Sequence, residues 1–385
     1  MLRIVHIITR LNVGGATRAL TALIPHLDGE KILIHGSLEK EEGDMAYLFN
    51  TLNCEMVKVN SMRRPVSPKD DFLAYSSFVY HLKRLKPDIV HTHLAKAGIL
   101  GRSAAWTLGI NRTVHTYHGN IFEGHFGGLT SRFFLFIERK FARRTSALVA
   151  VSQTLMTRLA HLFGTKKRWF VIPPPVNLTS LEDCDRNEAR KSFGLNDESP
   201  VLGFLGRIVP VKNPLFLIDV LKHLGSEWIL LIGGDGESKS TVEKIAQEKG
   251  VYKQVRFVGW VRDVAKFYRS CDVFAMSSRT EGFAMGIVEA LRFGIPSVAL
   301  ATTGVVDLLD APLTTDKPFI ETEAGFAVYQ NDPKTFAHCV RLAYERKSRG
   351  EDFTNPFKKI YERCSPSAVA EQYNSLYRSV IRNRL

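Results

Sequence analysis

Two cationic side chains stand close together in Gly206-Arg207-Ile208-Val209-Pro210-Val211-Lys212-Asn213-Pro214, just after an apolar run, Val201–Leu205, that reads as a buried strand. A planar guanidinium fork beside a compact ammonium suits a diphosphate, because the pair neutralises charge developing on a leaving phosphate and so does the work of a metal ion. The plainer reading of the same residues is a solvated Arg and Lys on a loop. Further on, Glu281 and Glu289 enclose seven residues. Eight helical steps of about 100° leave them about 80° apart, so they do not share one helix stripe. With Glu281 on the loop after Val273–Met276 and Glu289 a turn or two into the next helix, both would line one elongated ligand whose hydroxyls donate to carboxylates. A Glu favoured by the helix dipole is the alternative for Glu289. Its neighbours Val288, Ala290 and Leu291 imply burial, which a carboxylate tolerates only with a partner.

Histidines form a second group. His91 and His93 alternate at the end of one apolar run, and His115 and His118 close the next. Same-face spacing admits a metal ion, but no carboxylate completes a recognisable ligand set, so no metal site is expected. His118, in Thr116-Tyr117-His118-Gly119, is placed to meet a ligand because Gly119 permits close approach to the backbone. The other three read as structural hydrogen-bonders. Gly14-Gly15-Ala16, between the first strand and the first helix, offers bare amides to an anion, although a glycine pair is as often just a tight turn. Gly233-Gly234-Asp235-Gly236 is equally ambiguous, and the nearby Lys239-Ser240 makes no P-loop without a Gly-Lys pair. Asp183-Cys184-Asp185 spells a metal-binding DxD but does not follow a strand, so Asp185 reads as a helix cap.

The elements that must position these residues alternate between short β-rich runs and segments of helical period. Ile4–Ile8, Ile32–His35, Ile89–His91, Thr113–His115 and Ala147–Val151 read as strands, with helices such as Thr17–Leu27 and Phe72–Leu85 between them. The rhythm breaks at Ile172-Pro173-Pro174-Pro175-Val176-Asn177, where three prolines can continue neither a helix nor a central strand. A domain boundary is placed there. After a capped helix, Arg186–Phe193, strands resume at Val201–Leu205, Trp228–Ile232, Val255–Val258, Val273–Met276 and Ser297–Leu300. Helices fit near Pro214–Leu224, Thr241–Lys249, Val264–Ser270 and Gly286–Phe293. The expected organisation is two doubly wound parallel-sheet domains, 1–176 and 177–366, followed by an amphipathic helix, 367–385, packing back on the first. Ligands of such sheets bind at strand carboxyl ends.

Composition narrows the function. At 385 residues, with 45% hydrophobic and 24% charged residues, the chain is a folded protein of two domains rather than a disordered or fibrous one. No apolar run approaches the ~20 residues of a membrane-spanning helix, and Met1–Arg10 reads as a first strand rather than a signal peptide, which predicts a cytoplasmic protein. Five scattered cysteines form no CxxC pair and argue against disulfides and structural zinc. Residues 1–180 hold 24 Lys+Arg against 12 Asp+Glu, whereas residues 181–385 hold 28 against 27. That asymmetry implies an anionic partner for the first half: membrane surface, nucleic acid or phosphorylated substrate. Arg132, Arg139, Lys140, Arg143 and Arg144 interleave with Phe133, Phe134, Phe136, Ile137 and Phe141, as in a helix lying peripherally on an anionic membrane, though a buried aromatic face under a solvated basic one fits the same pattern. Lys166-Lys167-Arg168 and Arg63-Arg64 would add to that surface. No nucleic-acid recognition motif accompanies the charge.

Taken in order, the motifs resemble the retaining GT-B glycosyltransferases of family 4 over essentially the whole chain. The resemblance is carried by Gly14-Gly15, His118-Gly119, Val151-Ser152, the Ile172-to-Val176 linker, Arg207 with Lys212 as GRxxxxK, Gly234 and Gly236, and Glu281 with Glu289 as E-x7-E. It implies two facing Rossmann-like domains and a donor diphosphate held by Arg207 and Lys212. It also implies that Glu281 contacts the donor sugar, Glu289 the ribose, and His118 the reacting sugar or its phosphate. Gly14, Gly15, Gly234, Phe283, Ala284, Met285, Glu289 and Gly304 are the positions it assigns to donor binding. Two departures stand out: Pro174-Pro175 replaces the usual Asn-Gly of the linker, and Thr303-Gly304-Val305-Val306-Asp307 replaces GGxxE, leaving a shorter acid.

The expected activity is therefore transfer of a sugar from a UDP- or GDP-sugar to a saccharide or lipid-linked acceptor, with retention, without metal or other cofactor, in cell-surface polysaccharide or glycolipid synthesis. A nucleotide-sugar epimerase of the same fold, needing no acceptor, is the nearest rival, and a basic nucleic-acid binder is the rival of a different class.

Overall fold

The computed structural model describes residues 1–39, 42–119, 128–164, 169–178 and 181–382. The chain divides into two compact units, Met1–Val176 with Arg363–Leu385, and Asn177–Glu362.

In the first unit the chain runs β1 (Arg3–Ile8), α1 (Gly15–Leu23), β2 (Glu30–His35), β3 (Glu55–Lys58), α2 (Pro68–Leu85), β4 (Ile89–His93), α3 (Ala95–Thr107), β5 (Thr113–Tyr117), α4 (Gly128–Arg144), β6 (Ala147–Ala150), α5 (Gln153–Phe163) and β7 (Trp169–Val171). The seven strands form one parallel sheet in the order β3-β2-β1-β4-β5-β6-β7. Because side chains alternate, β1 sends Val5 and Ile7 to one face and Ile4 to the other. Both faces are covered, which is why the strands read as unbroken apolar runs. On one side Ala74, Phe78 and Leu82 of α2 pack with Ala97, Ala104 and Ala105 of α3.

The second unit repeats the plan: α6 (Arg186–Ser192), β8 (Val201–Leu205), α7 (Pro214–Leu224), β9 (Ile229–Gly233), α8 (Lys239–Glu248), β10 (Val255–Gly259), α9 (Val264–Arg269), β11 (Val273–Met276), α10 (Met285–Arg292), β12 (Ser297–Leu300), α11 (Thr303–Leu309), β13 (Phe319–Thr322), β14 (Gly325–Val328), α12 (Pro333–Ser348) and α13 (Thr354–Cys364). Its order is β10-β9-β8-β11-β12-β14-β13, parallel except for β13, which runs antiparallel to β14. The division between units falls in the last turn of α13.

The last helix, α14 (Pro366–Ile381), belongs to the first unit. Val369, Ala370, Tyr373, Leu376, Tyr377 and Val380 form its buried stripe against Ile4, Ile89, Val114 and Val149. Val176, at the end of the proline segment, donates its amide to the Cys364 carbonyl at 2.8 Å, so the chain leaves and re-enters this unit at one place.

Two sequence readings shift. The first helix stops at Leu23 rather than Leu27, because Pro25 starts a short 3-10 turn over Ile24–His26. The pair β13–β14 was not expected at all.

Candidate functional site

In each sheet the strand order reverses beside the unit's first strand: between β1 and β4 in the first unit and between β8 and β11 in the second. The loops leaving those strands diverge at such a switch point and open a crevice at their carboxyl ends.

In the second unit the switch-point loops carry Arg207 and Lys212 after β8 and Glu281 after β11. Lys212 Nζ and Glu281 Oε1 form an ion pair, both side chains only partly exposed. Ser277 Oγ donates to the Lys212 carbonyl at 2.9 Å and Arg279 N donates to the Val211 carbonyl at 2.9 Å, so the two loops are stitched beneath the pair. Arg207 is half-buried, next to the buried Ile208, whose amide donates to Asp235 O at 2.9 Å. Asn213, in the left-handed region at φ 55, turns the chain sharply from Lys212 into α7.

Glycines let four loops converge here. A Cβ on Gly234, at φ 127, would lie 2.0 Å from the Gly206 carbonyl oxygen. One on Gly304 would come within 2.5 Å of the Gly282 backbone. Gly304 N and Thr303 Oγ1 instead both donate to Glu281 O, at 3.1 and 2.6 Å, which fixes the loop that bears the carboxylate. Phe283 is half-buried, and Ala284 is the N-cap of α10, which opens at Met285. Glu289 lies one turn into α10 and is almost fully buried, with Tyr268 of α9 donating to its Oε2 at 2.9 Å. Asp307 lies in α11, half-buried. Thus Arg207, Lys212, Glu281, Gly234 and Gly304 fall at one strand-end cluster, whereas Glu289 sits in the helix behind it.

The DxD segment is taken up structurally. Asp185 caps α6 by accepting from Glu188 N at 2.9 Å, and Asp183 accepts from Arg269 Nε at 2.5 Å, which holds its carboxyl below the usual range.

In the first unit a row of imidazoles runs from beneath the sheet's covered face, where His6, His91 and His93 are fully buried, to the partly exposed His118 after β5. His91 and His93 point to one face of β4, and β1 pairs with it so that His6 lies beside His91. His6 Nδ1 is 3.1 Å from His93 Nε2, and His93 Nδ1 is 3.1 Å from His118 Nε2. His91 joins the cluster with ring centroids 5.0 Å from His6 and 4.2 Å from His93, but its own nitrogens bond Tyr377 Oη at 2.7 Å and Thr116 Oγ1 at 2.8 Å. His6, His91 and His93 could each offer a ligand atom within 4.8 Å of the others. Both nitrogens of His91 and of His93 already have hydrogen-bond partners, so an ion there would have to break that network. His115 faces the other side, against Thr92 Oγ1 at 2.8 Å. Burial pushes all of these rings down, His118 to about 4 and His6 to about 3. Leu94, right after His93, is left-handed at φ 67, a strained turn at the crevice edge. Gly14 is extended at φ 174, and a Cβ there would meet only Asn12 at 3.9 Å. Gly15 opens α1.

His6 is the residue that sequence reasoning missed. Its signal was the repeated Ile-Val-His at 4–6 and 89–91, two strands in equivalent register.

Among the described residues no helix is long and apolar enough to cross a membrane. On α4, Phe133 and Phe136 are exposed, as are Arg132, Arg139, Lys140, Arg143 and Arg144, and Lys140 Nζ lies 4.5 Å from the Phe136 ring centroid. Arg63 and Arg64 are exposed too; Lys166, Lys167 and Arg168 lie outside the described residues.

The family model described as Glycosyl transferases group 1 matches residues 185–359, and that described as Glycosyltransferase Family 4 matches residues 13–180. The UDP-Gal:alpha-D-GlcNAc-diphosphoundecaprenol alpha-1,3-galactosyltransferase of Escherichia coli is 30% identical over 277 residues, 69% of this chain and 70% of that protein. The chain belongs to the family 4 glycosyltransferases. A D-inositol 3-phosphate glycosyltransferase of Xylanimonas cellulosilytica is also 30% identical, over 57% of this chain and 56% of its own length, so the chain spans little more than half of that relative. Anabaena Alr3699/HepE, solved with UDP and glucose, superposes with a TM-score of 0.80 at 19% identity, covering 98% of this glycosyltransferase and 100% of HepE. That likeness shows the GT-B fold.

Proposed function

We propose that this glycosyltransferase moves a sugar from a nucleotide diphosphate sugar to an acceptor hydroxyl, with retention of configuration and without a divalent metal. The observation that carries the proposal is the Lys212–Glu281 ion pair on the switch-point loops of the second unit, one of which also carries Arg207. Arg207 and Lys212 bind the diphosphate and neutralise it as the sugar–phosphate bond breaks. Glu281, its backbone fixed by Thr303 and Gly304, accepts from donor-sugar hydroxyls. Glu289, oriented by the Tyr268 hydroxyl, takes the ribose, and His118 meets the sugar or its phosphate. Gly14, Gly15, Gly234 and Gly304 bring bare backbone to the donor, and Phe283, Ala284 and Met285 shape the loop around it. With no side chain assigned as base, the departing phosphate oxygen takes the acceptor's proton on the same face of the sugar.

A UDP-sugar donor and a lipid-linked acceptor are supported by the name of the Escherichia coli relative, and UDP by the HepE complex. The exposed phenylalanines and cations of α4 support a first unit that rests peripherally on an anionic, cytoplasmic-side membrane surface where such an acceptor resides. Cell-surface polysaccharide or glycolipid synthesis follows from that acceptor class.

The test is a melting-temperature screen against UDP-galactose, UDP-glucose, UDP-N-acetylglucosamine and GDP-mannose, followed by transfer to a diphospholipid-linked sugar in EDTA with the anomeric proton read by NMR. Stabilisation by at least one donor and an axial product linkage from an axial donor are expected. No stabilisation by any donor, or a changed free nucleotide sugar with no transfer, would defeat the proposal.

A further inference from the structure

We infer that His6 and His93 are positioning residues that hold the proton of His118 on Nδ1, so that His118 presents an N–H donor to the ligand. The inference deepens the proposed function, because it concerns the residue assigned there to the donor sugar or its phosphate.

His6, His93 and His118 form a row: Nδ1 to Nε2 at 3.1 Å, then Nδ1 to Nε2 at 3.1 Å again. Burial lowers the basicity of each ring, so near pH 7 all three are neutral and each carries one proton. A row of three neutral imidazoles joined by two hydrogen bonds has two proton arrangements. In one, every ring is protonated on Nδ1 and each donates outward from His6 toward His118. In the other, every ring is protonated on Nε2 and the bonds run the opposite way. The rings switch together, because a central ring that donated to both neighbours would be a buried cation.

The buried end decides between them. His6 Nε2 is buried and has no hydrogen-bond partner among the described residues. The second arrangement would leave an N–H there without an acceptor, and an orphaned buried N–H is the rarer and costlier defect than an unused lone pair. The first arrangement leaves only the lone pair. His6 Nδ1–H therefore donates to His93, His93 Nδ1–H donates to His118 Nε2, and the remaining proton lies on His118 Nδ1. That N–H has no acceptor within the row, and His118 stands where β5 ends. His91 does not divert the row, because its nitrogens are taken by Tyr377 and Thr116.

The chemical consequence is specific. An N–H at that position recognises an oxygen lone pair, whether of a sugar hydroxyl or of a phosphate, and a lone pair there would repel a phosphate. His118 is then a neutral donor rather than a general base, since its outward nitrogen already holds a proton.

The test is nitrogen-15 NMR of the histidine rings in the full-length protein at pH 7, with His118 identified by the signals lost in His118→Gln. The expected wild-type spectrum has His118 protonated on Nδ1. In His93→Leu and His6→Leu, His118 shifts toward the Nε2–H form that free imidazole prefers. In His6→Asn, whose carboxamide can still donate to His93, it stays on Nδ1. Turnover should fall about tenfold in His6→Leu, mostly in kcat, and return close to wild type in His6→Asn. An Nε2–H His118 in the wild type overturns the inference, and so does an unchanged tautomer in His93→Leu. If a leucine variant fails to fold, the wild-type spectrum alone decides. The spectrum needs no donor substrate, so a protein that binds no nucleotide sugar would sink the proposed function and leave this result standing.

Discussion

The two units are built on one plan and spend it on opposite chemistry. Each sheet reverses beside its first strand. In the second unit the loops leaving β8 and β11 hold an ammonium against a carboxylate, and the first of them also carries Arg207. In the first, strands β1 and β4 and the residue after β5 carry neutral, buried imidazoles tied to one another and, through His91, to Thr116 and Tyr377. Net charge points the other way, with 24 cations against 12 anions in residues 1–180 and near balance after them. The excess of the first half sits on exposed positions such as Arg63, Arg64, Lys83, Arg84, Lys140 and Arg144, not in its crevice. Net charge thus describes what a surface attracts, and the crevice must be read residue by residue.

The comparison breaks most decisively at the charged site. Arg207→Ala or Lys212→Ala should lower turnover about 10²- to 10³-fold, the usual loss when one preorganised stabiliser of developing charge is removed. Circular dichroism and the melting temperature should stay near wild type, since both side chains are partly exposed. Lys212→Arg should keep more activity than Lys212→Ala by retaining a cation beside Glu281. Turnover that survives both alanine changes would remove the diphosphate from this site.

Acid sharpens the contrast in stability. His6, His91, His93, His115 and His118 all have pKa values depressed by burial, to about 3 for His6 and about 4 for His118. The unfolded chain takes up protons as pH falls through 6.5, and the folded unit does not. These rings therefore leave stability unchanged above pH 6.5 and reduce it as pH falls from 6.5 toward 4, each by up to about 1.4 kcal/mol per pH unit. Trp106 and Trp169 report on the first unit and Trp228 and Trp260 on the second. With the reporters separated by Trp→Phe changes in one unit at a time, the urea midpoint of the first unit should drop first between pH 6.5 and 4. An earlier drop in the second unit would mean that its ion pairs, not these histidines, govern acid sensitivity.

What the sequence disclosed follows the same divide between local and distant. Val201–Leu205, Val273–Met276 and Ser297–Leu300 are strands as read, because a parallel strand covered on both faces is an unbroken apolar run. The helix α3 escaped notice, since its buried face is Ala97, Gly98, Gly101, Ala104 and Ala105 beside the fully buried Arg102, with no large-apolar stripe. The small residues are small for a reason: a Cβ on Gly98 would fall 2.5 Å from the His115 ring. The hairpin β13–β14 is two four-residue strands, too short to show a period. Arg207 and Lys212 were legible because one loop carries both. The partner of Lys212, Glu281, lies 69 residues beyond it, a contact that sequence spacing does not encode. The histidine row runs from His6 within β1 through the end of β4 to the residue after β5, and needs the register of β1 against β4 before it exists.

Glycine gives the finest test, because two crevice glycines stand under different constraints. Gly234→Ala places a Cβ 2.0 Å from the Gly206 carbonyl oxygen at φ 127, so the second unit's loops must part, at a cost of about 2–3 kcal/mol in urea unfolding. Gly14→Ala meets only Asn12 at 3.9 Å in extended backbone, and should change stability by less than about 0.5 kcal/mol. Among the described residues none requires a glycine at position 14, so a reason for it would lie in what approaches it. If bare backbone there serves a bound donor, Gly14→Ala should raise the KM for the nucleotide sugar while the unfolding midpoint stays fixed. A normal KM would reduce Gly14 to a spacer before α1, and a large loss of stability would show that it packs more tightly than the extended turn implies.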